Sequence, residues 1–250
     1  MTKLRIGVAM PTLNQGAWIS RALDSFFCQT VRAPLCVVDD GCTDGTLKEV
    51  AEAQRRFPER ELRLIRHDRN AGTAAAINTG IARLLAEWPD LEALSWISSD
   101  NEMMPQWLAL LGGELDRGAG AAYGGFWCVP TNAPGAVHPH TLRRRGWSFI
   151  AHAPRKLVDE VNCYYGPAFL IRRDVWEAAG PHRGGTAHDF DHWLRVEEAC
   201  WARGLRISGV NLPLCVYNMH DKRATVVRRD ESDAPKWQAA ARERRAAAAR

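Results

Sequence analysis

The chain has 250 residues, 46% hydrophobic and 25% charged, which are the proportions of a folded globular protein and exclude a disordered, collagenous or disulfide-stapled one. No stretch approaches the roughly 20 apolar residues of a membrane span, and the apolar segment Ile6–Met10 is too short for a signal peptide, so a cytoplasmic protein is the default. The net charge of +4 is mild. Its basic runs, Arg143–Arg145, Arg155–Lys156, Lys222–Arg223 and Arg228–Arg229, gather in the second half and leave an anionic partner open, although nucleic-acid binding usually brings a stronger basic balance.

In chain order, Ile6–Met10 reads as a buried strand that stops at Pro11-Thr12-Leu13-Asn14-Gln15-Gly16. Trp18, Ile19, Ala22, Leu23, Phe26 and Phe27 then recur at helical spacing, which predicts an amphipathic helix from about residue 17 to 29. Leu35–Val38 has no polar face and reads as a buried parallel strand. Residues 46–56 follow as a helix, 62–65 as a strand, 73–88 as an alanine-rich helix and 93–98 as a further strand. This alternation predicts a Rossmann-like three-layer α/β/α sandwich on a mostly parallel mixed sheet. From Gly112 onward glycine, proline and aromatic residues are frequent, which predicts short strands and long loops. The Ala/Arg segment at the end reads as a frayed or exposed helix. Seven cysteines without a C-x-x-C pair indicate neither a disulfide framework nor a zinc knuckle and read as mostly buried free thiols.

The most informative segment is Val37-Val38-Asp39-Asp40-Gly41-Cys42-Thr43-Asp44-Gly45-Thr46. It places two carboxylates at the carboxyl end of a buried strand, the edge of an open α/β sheet where ligands bind. Either carboxylate can instead hold its own turn by accepting backbone N–H groups.

Four separated pieces together resemble the family 2 glycosyltransferases of GT-A fold. They are Pro11-Thr12-Leu13-Asn14 with Phe27-Cys28-Gln29-Thr30, the acidic run around Asp39-Asp40, Asn70-Ala71-Gly72 with Asn78-Thr79-Gly80, and Ser98-Ser99-Asp100. A fifth, His188-Asp189-Phe190-Asp191-His192-Trp193, falls where that family keeps its Glu-Asp catalytic segment. The resemblance spans residues 4–225. It implies one glycosyltransferase domain over 1–225, with a nucleotide-sugar half (1–111) and an acceptor-binding and catalytic half (112–225), followed by a basic tail (226–250).

The resemblance implies a UDP-sugar donor whose uracil imide N–H is accepted by Asp40, with Pro11, Thr12 and Asn14 shaping the other side of base and ribose. Asn14 can equally cap the following helix. Asn70, Gly72, Ser99 and Asp100 complete the implied donor site. A departing nucleoside diphosphate develops negative charge, so a divalent cation, Mn²⁺ or Mg²⁺, is the implied cofactor. The family's D-x-D motif stands here as Ser98-Ser99-Asp100, with a hydroxyl where the first carboxylate belongs. Asp100 remains as metal ligand, and Glu102 is a candidate replacement. His220 lies where relatives place a histidine near metal and diphosphate, and an imidazole there favours Mn²⁺. Lys222 and Arg223 are placed to meet phosphate oxygens.

Inverting transfer needs a carboxylate to take the acceptor hydroxyl's proton. Asp189 matches that position, Asp191 is its rival, and His188 stands where relatives have Glu. The acceptor is a saccharide, a lipid-linked saccharide or a modified nucleic-acid base, with peripheral membrane attachment as an alternative location. A nucleotide-binding protein that has lost catalysis is the other reading, motivated by Ser98 and His188.

Overall fold

The computed structural model describes residues 2–130, 147–148, 165–220 and 234–248. The first half runs β1 (Ile6–Thr12), α1 (Ile19–Phe27), β2 (Leu35–Asp39), α2 (Thr46–Arg56), β3 (Leu62–Arg66), α3 (Thr73–Glu87) and β4 (Ala93–Trp96). These elements fall within a few residues of the periodicity-based expectation. Strands β1 and β2 are buried at every position, as strands covered on both faces must be. Then follow β5 (Glu102–Met103), α4 (Trp107–Asp116), β6 (Ala119–Pro130), β7 (Trp147–Ser148), β8 (Phe169–Arg172), α5 (Arg173–Ala179), α6 (His188–Ala202), β9 (Arg206–Met219) and α7 (Ala234–Ala248).

The strands form one mixed sheet in the order β3-β2-β1-β4-β8-β6-β9-β5, with β7 added on β6. Strands β3, β2, β1 and β4 are mutually parallel, so their carboxyl ends emerge at one edge. Beyond them β8 runs antiparallel to β4 and β6, while β9 is parallel to β6. Alternation along β1 sorts the core into two layers. Val8 and Met10 join α1, α2 and α4 on one face, and Ala9 joins α3, α5 and α6 on the other. The three-layer α/β sandwich is therefore the observed architecture. Helix α3 lies close on the sheet because Gly80 has no side chain: a Cβ there would stand 2.9 Å from the Ala9 Cβ and 3.2 Å from the Val38 Cγ2.

The second half corrects two expectations. Beside the expected short strands β7 and β8 there are two long ones, the 12-residue β6 and the 14-residue β9. Glycine loosens the sequence pattern of β6 because neighbours press on it. A Cβ at Gly120 would meet the Cys200 Sγ at 2.7 Å, and one at Gly124 the Leu214 Cδ1 at 2.5 Å. The Ala/Arg segment is a helix exposed along one side, as expected, but its other side packs on the core. Helix α7 buries Ala234 and Ala241 in the core and pairs Arg245 with Glu197 at 2.9 Å and Arg244 with Glu198 at 2.8 Å, both glutamates on α6. Of the described cysteines, Cys36, Cys200 and Cys215 are buried free thiols, whereas Cys28 is exposed. Among the described residues no helix is long and apolar enough to cross a membrane.

Candidate functional site

The carboxyl ends of β1, β2 and β4 gather the motif residues, and the acidic turn after β2 is the most heavily bonded part of this edge. The buried Asp39 accepts the Cys42 N–H on Oδ1 at 2.7 Å and the Arg66 Nε on Oδ2 at 3.1 Å. Burial opposes its charge, but the bonds from Cys42 and Arg66 prevail and hold its carboxyl below the usual range. Asp40 reaches across to the chain after β3. Its Oδ1 accepts the Ala71 N–H at 2.8 Å and contacts the His67 Nδ1 at 2.7 Å, and its Oδ2 accepts the Gly72 N–H at 2.8 Å. His67 in turn meets the Thr79 Oγ1 of α3 at 3.0 Å. Asp40 thus fixes the Asn70–Gly72 loop against the edge. Asn70 helps by accepting the Gly72 N–H at 2.9 Å, and Gly72 takes the positive φ of 93° that starts α3.

The loop after β1 closes on the same turn. Asn14 adopts φ 53° and accepts the Thr43 N–H at 2.8 Å, so it joins the two loops and does not cap α1. Asp44 accepts the Gly16 N–H at 3.0 Å and the Thr46 N–H at 2.9 Å. Pro11 and Thr12 are the buried last two residues of β1, and the Thr12 hydroxyl has no hydrogen-bond partner among the described residues.

After β4, Ser98 is half-buried, Ser99 buried, and Asp100 turns back toward the end of β9. There its Oδ2 stands 3.1 Å from the His220 Nε2. Asn218 anchors the contact by donating its Nδ2 to the Asp100 carbonyl at 2.7 Å, and the Trp18 ring stacks on the imidazole with centroids 4.6 Å apart and planes at 15°. Glu102 is paired with Arg21 and also meets the Asn218 Nδ2 at 3.4 Å, so its carboxylate is taken up by these two partners. Two ligands at right angles on a six-coordinate cation with bonds of about 2.1 Å lie about 3 Å apart, so the carboxylate and imidazole fit neighbouring positions of such an ion. Among the described residues no three His, Cys, Asp or Glu side chains are grouped to hold a metal ion, so this pair alone would not enclose one.

Helix α6 begins at His188, with Asp189 in its first turn. Asp189 is half-buried, and its Oδ1 accepts the neighbouring Phe190 N–H at 2.8 Å. Its rival Asp191 is fully buried and committed to Arg195, with Nη2–Oδ2 at 2.8 Å and Nε–Oδ2 at 3.1 Å. His188 lies against Trp96 at the end of β4, with centroids 5.9 Å apart, which brings the His188–Asp189 segment to the edge that carries Asp100. Gly166 is required as glycine by its own surroundings. Its φ is 58°, and a Cβ would stand 2.8 Å from the Phe126 ring.

Sequence reasoning missed His67, Trp18 and Asn218, which hold the motif residues in place, and His182, which meets His188. His67, Asn218 and His182 are lone residues between motifs, for which periodicity carries no signal, and Trp18 shows only as part of the apolar stripe of α1. Tyr164, Lys222, Arg223 and the basic runs Arg143–Arg145, Arg155–Lys156 and Arg228–Arg229 lie outside the described residues, as does the side chain of Trp147. A cleft of about 360 Å³ lined by Arg183, Arg195, Glu198, Arg203 and Arg244 lies among α5, α6 and α7, not at the motif-bearing edge.

Known proteins share the sequence pattern and the fold. The family model "Glycosyl transferase family 2" matches residues 7–179. Chondroitin synthase of Escherichia coli is 23% identical over 194 residues, covering 77% of this chain and 26% of that protein, so the chain spans about a quarter of this relative's length. Among solved structures, mannosyltransferase PcManGT of Pyrobaculum calidifontis, in complex with GDP-Man and Mn²⁺, superposes with a TM-score of 0.62 at 19% identity, over 99% of this chain and 79% of that one. Residues 1–349 of S. aureus TarS, in complex with UDP, give a TM-score of 0.61 at 16% identity, over 87% of this chain and 61% of that one. These likenesses establish the GT-A fold, and with the family match over most of the chain they make it a glycosyltransferase belonging to glycosyl transferase family 2.

Proposed function

We propose that this protein transfers a sugar from a UDP-sugar to an acceptor hydroxyl with inversion, and that Asp100 and His220 hold the divalent cation that assists the reaction. The observation that carries the reading is the Asp100–His220 contact of 3.1 Å, made at the edge where the parallel strands end. A cation bound there offsets the charge on the departing diphosphate. The complexes of the similar structures, TarS with UDP and PcManGT with GDP-Man and Mn²⁺, support a nucleotide donor and Mn²⁺.

The remaining roles follow from chemistry at the same edge. Asp40 Oδ2 carries only the Gly72 amide, so it keeps a lone pair for an imide N–H of the base. Pro11, Thr12 and Asn14 frame one side of base and ribose, and Asn70, Gly72 and Ser99 frame the other. Asp189 takes the proton of the acceptor hydroxyl as it attacks the sugar carbon from the face opposite the diphosphate. Asp191 is unsuited to this because Arg195 occupies it in the core. The acceptor is a saccharide, free or lipid-linked, and residues 1–225 form the transferase unit.

The test is a screen of UDP-sugars and GDP-mannose for nucleotide release and product formation, with the product's anomeric configuration read by NMR. An inverted product with one UDP-sugar, lost in Asp189→Asn while UDP binding persists, supports the reading. A product of retained configuration, or full activity in Asp189→Asn, contradicts it.

A further inference from the structure

Three histidines meet beneath the start of α6. The His182 Nδ1 stands 3.2 Å from the His188 Nδ1, and the His182 and His192 rings stack with centroids 4.0 Å apart and planes at 21°. His182 and His192 are 4% and 1% exposed, and the Nε2 of each has no partner. The cluster is clamped from α3, where the Asn78 side chain donates to the His182 carbonyl and accepts the His182 N–H, both at 2.8 Å. Trp96 of β4 and Trp176 of α5 wall it in.

The groups facing these rings are mostly cationic. From α6 come the other histidines and Arg195, with Arg183 next to His182 in the chain, and α7 brings Arg244 toward Arg195. The nearby carboxylates are Asp189, which follows His188 in the chain, and Asp191, which Arg195 engages at 2.8 Å and Arg183 approaches at 3.6 Å. The strand and the other helices contribute Trp96, Trp176 and Asn78, none of which titrates in the physiological range.

We infer that His182 and His188, clamped by Asn78, are positioning residues for Asp189, and that they hold it in place only while one of the two imidazoles keeps a lone pair at Nδ1. The inference rests on Asp189 being the base, as proposed above. A contact of 3.2 Å between two Nδ1 atoms needs one donor and one acceptor; with both rings charged, N–H faces N–H and the contact opens. His188 and Asp189 are the first two residues of α6, so a displaced His188 carries the carboxylate with it. A base misplaced by even an ångström loses much of its effect.

The test uses two substitutions in the full chain, with turnover followed against pH. In His188→Asn the amide places a non-titrating donor and acceptor near the imidazole Nδ1 position. It should keep kcat within about threefold of wild type at neutral pH and move the acid-side fall in kcat down by about one pH unit. His188→Ala, checked for folding by thermal unfolding, should lose about tenfold in kcat with donor KM unchanged. An unaltered acid limb in His188→Asn, or wild-type kcat in His188→Ala, overturns the inference. Asp189→Asn, assayed alongside, separates the two readings: inactivity at every pH upholds the base, and activity removes it whatever the histidine variants do.

Discussion

Asn78 makes both of its side-chain hydrogen bonds to one residue 104 positions away, the backbone N–H and C=O of His182. The contact ties α3, which begins at the Asn70–Gly72 loop, to the segment that leads into Asp189. Substituting Asn78→Ala leaves two backbone groups of a buried residue unpaired. We expect a loss of about 1–3 kcal/mol in stability, measured by urea unfolding, and a fall in kcat larger than any change in donor affinity.

Glu197 is fully buried between the Tyr165 hydroxyl and Arg245 of α7. Burial raises its carboxyl above the usual range despite both partners. Arg245→Met strands this carboxylate, and the expected loss of stability is about 3–5 kcal/mol if it stays charged, less if it takes up a proton. Removing both partners in Arg245→Met/Glu197→Gln should recover part of the loss. Chemical denaturation of the two variants checks this, and equal stabilities would contradict it.

Burial, reinforced by neighbouring histidine and arginine charge, holds His182 and His192 well below the ordinary histidine value of 6.5. The folded protein therefore binds fewer protons at these rings than the unfolded chain does. Their contribution is intact above pH 6.5 and is lost as pH falls from there toward the folded-state values, by about 1.4 kcal/mol per pH unit for each ring. Thermal unfolding between pH 7.5 and 5 should show this decline, and it should be halved in His192→Phe.

Gly41 has φ 89°, and a Cβ there would stand 3.0 Å from the Asn70 N. Gly41→Ala should cost about 1–3 kcal/mol in stability from backbone strain and should weaken UDP binding by displacing the loop that Asp40 holds. Calorimetry with UDP measures the second effect directly.

The first half of the fold was legible because its strands are continuous apolar runs and its helices keep a clear apolar stripe, as in Ile19, Leu23 and Phe26. Position also foretold which residues reach the sheet edge, since Asp39, Asp40 and Asp100 follow strand ends. Partners were not legible. That Asp40 binds the amides of Ala71 and Gly72, or that Asp191 is neutralised by Arg195, depends on chain segments folding together. The second half misled for a related reason. Gly120 and Gly124 look like loop residues, yet they are strand positions where Cys200 and Leu214 leave no room for a side chain. Helix α7 looked solvated because its arginines are numerous, and only the fold shows that Arg244 and Arg245 face Glu198 and Glu197.

The most direct test of the central claim is calorimetric titration of UDP into the wild type, Asp100→Ala and His220→Ala, each with Mn²⁺ and with chelator. We predict that the wild type binds UDP at least about tenfold more tightly with Mn²⁺ than with chelator, and that either substitution removes this gain. UDP binding that is indifferent to Mn²⁺ in the wild type, or a full Mn²⁺ effect in both variants, would contradict the assignment of Asp100 and His220.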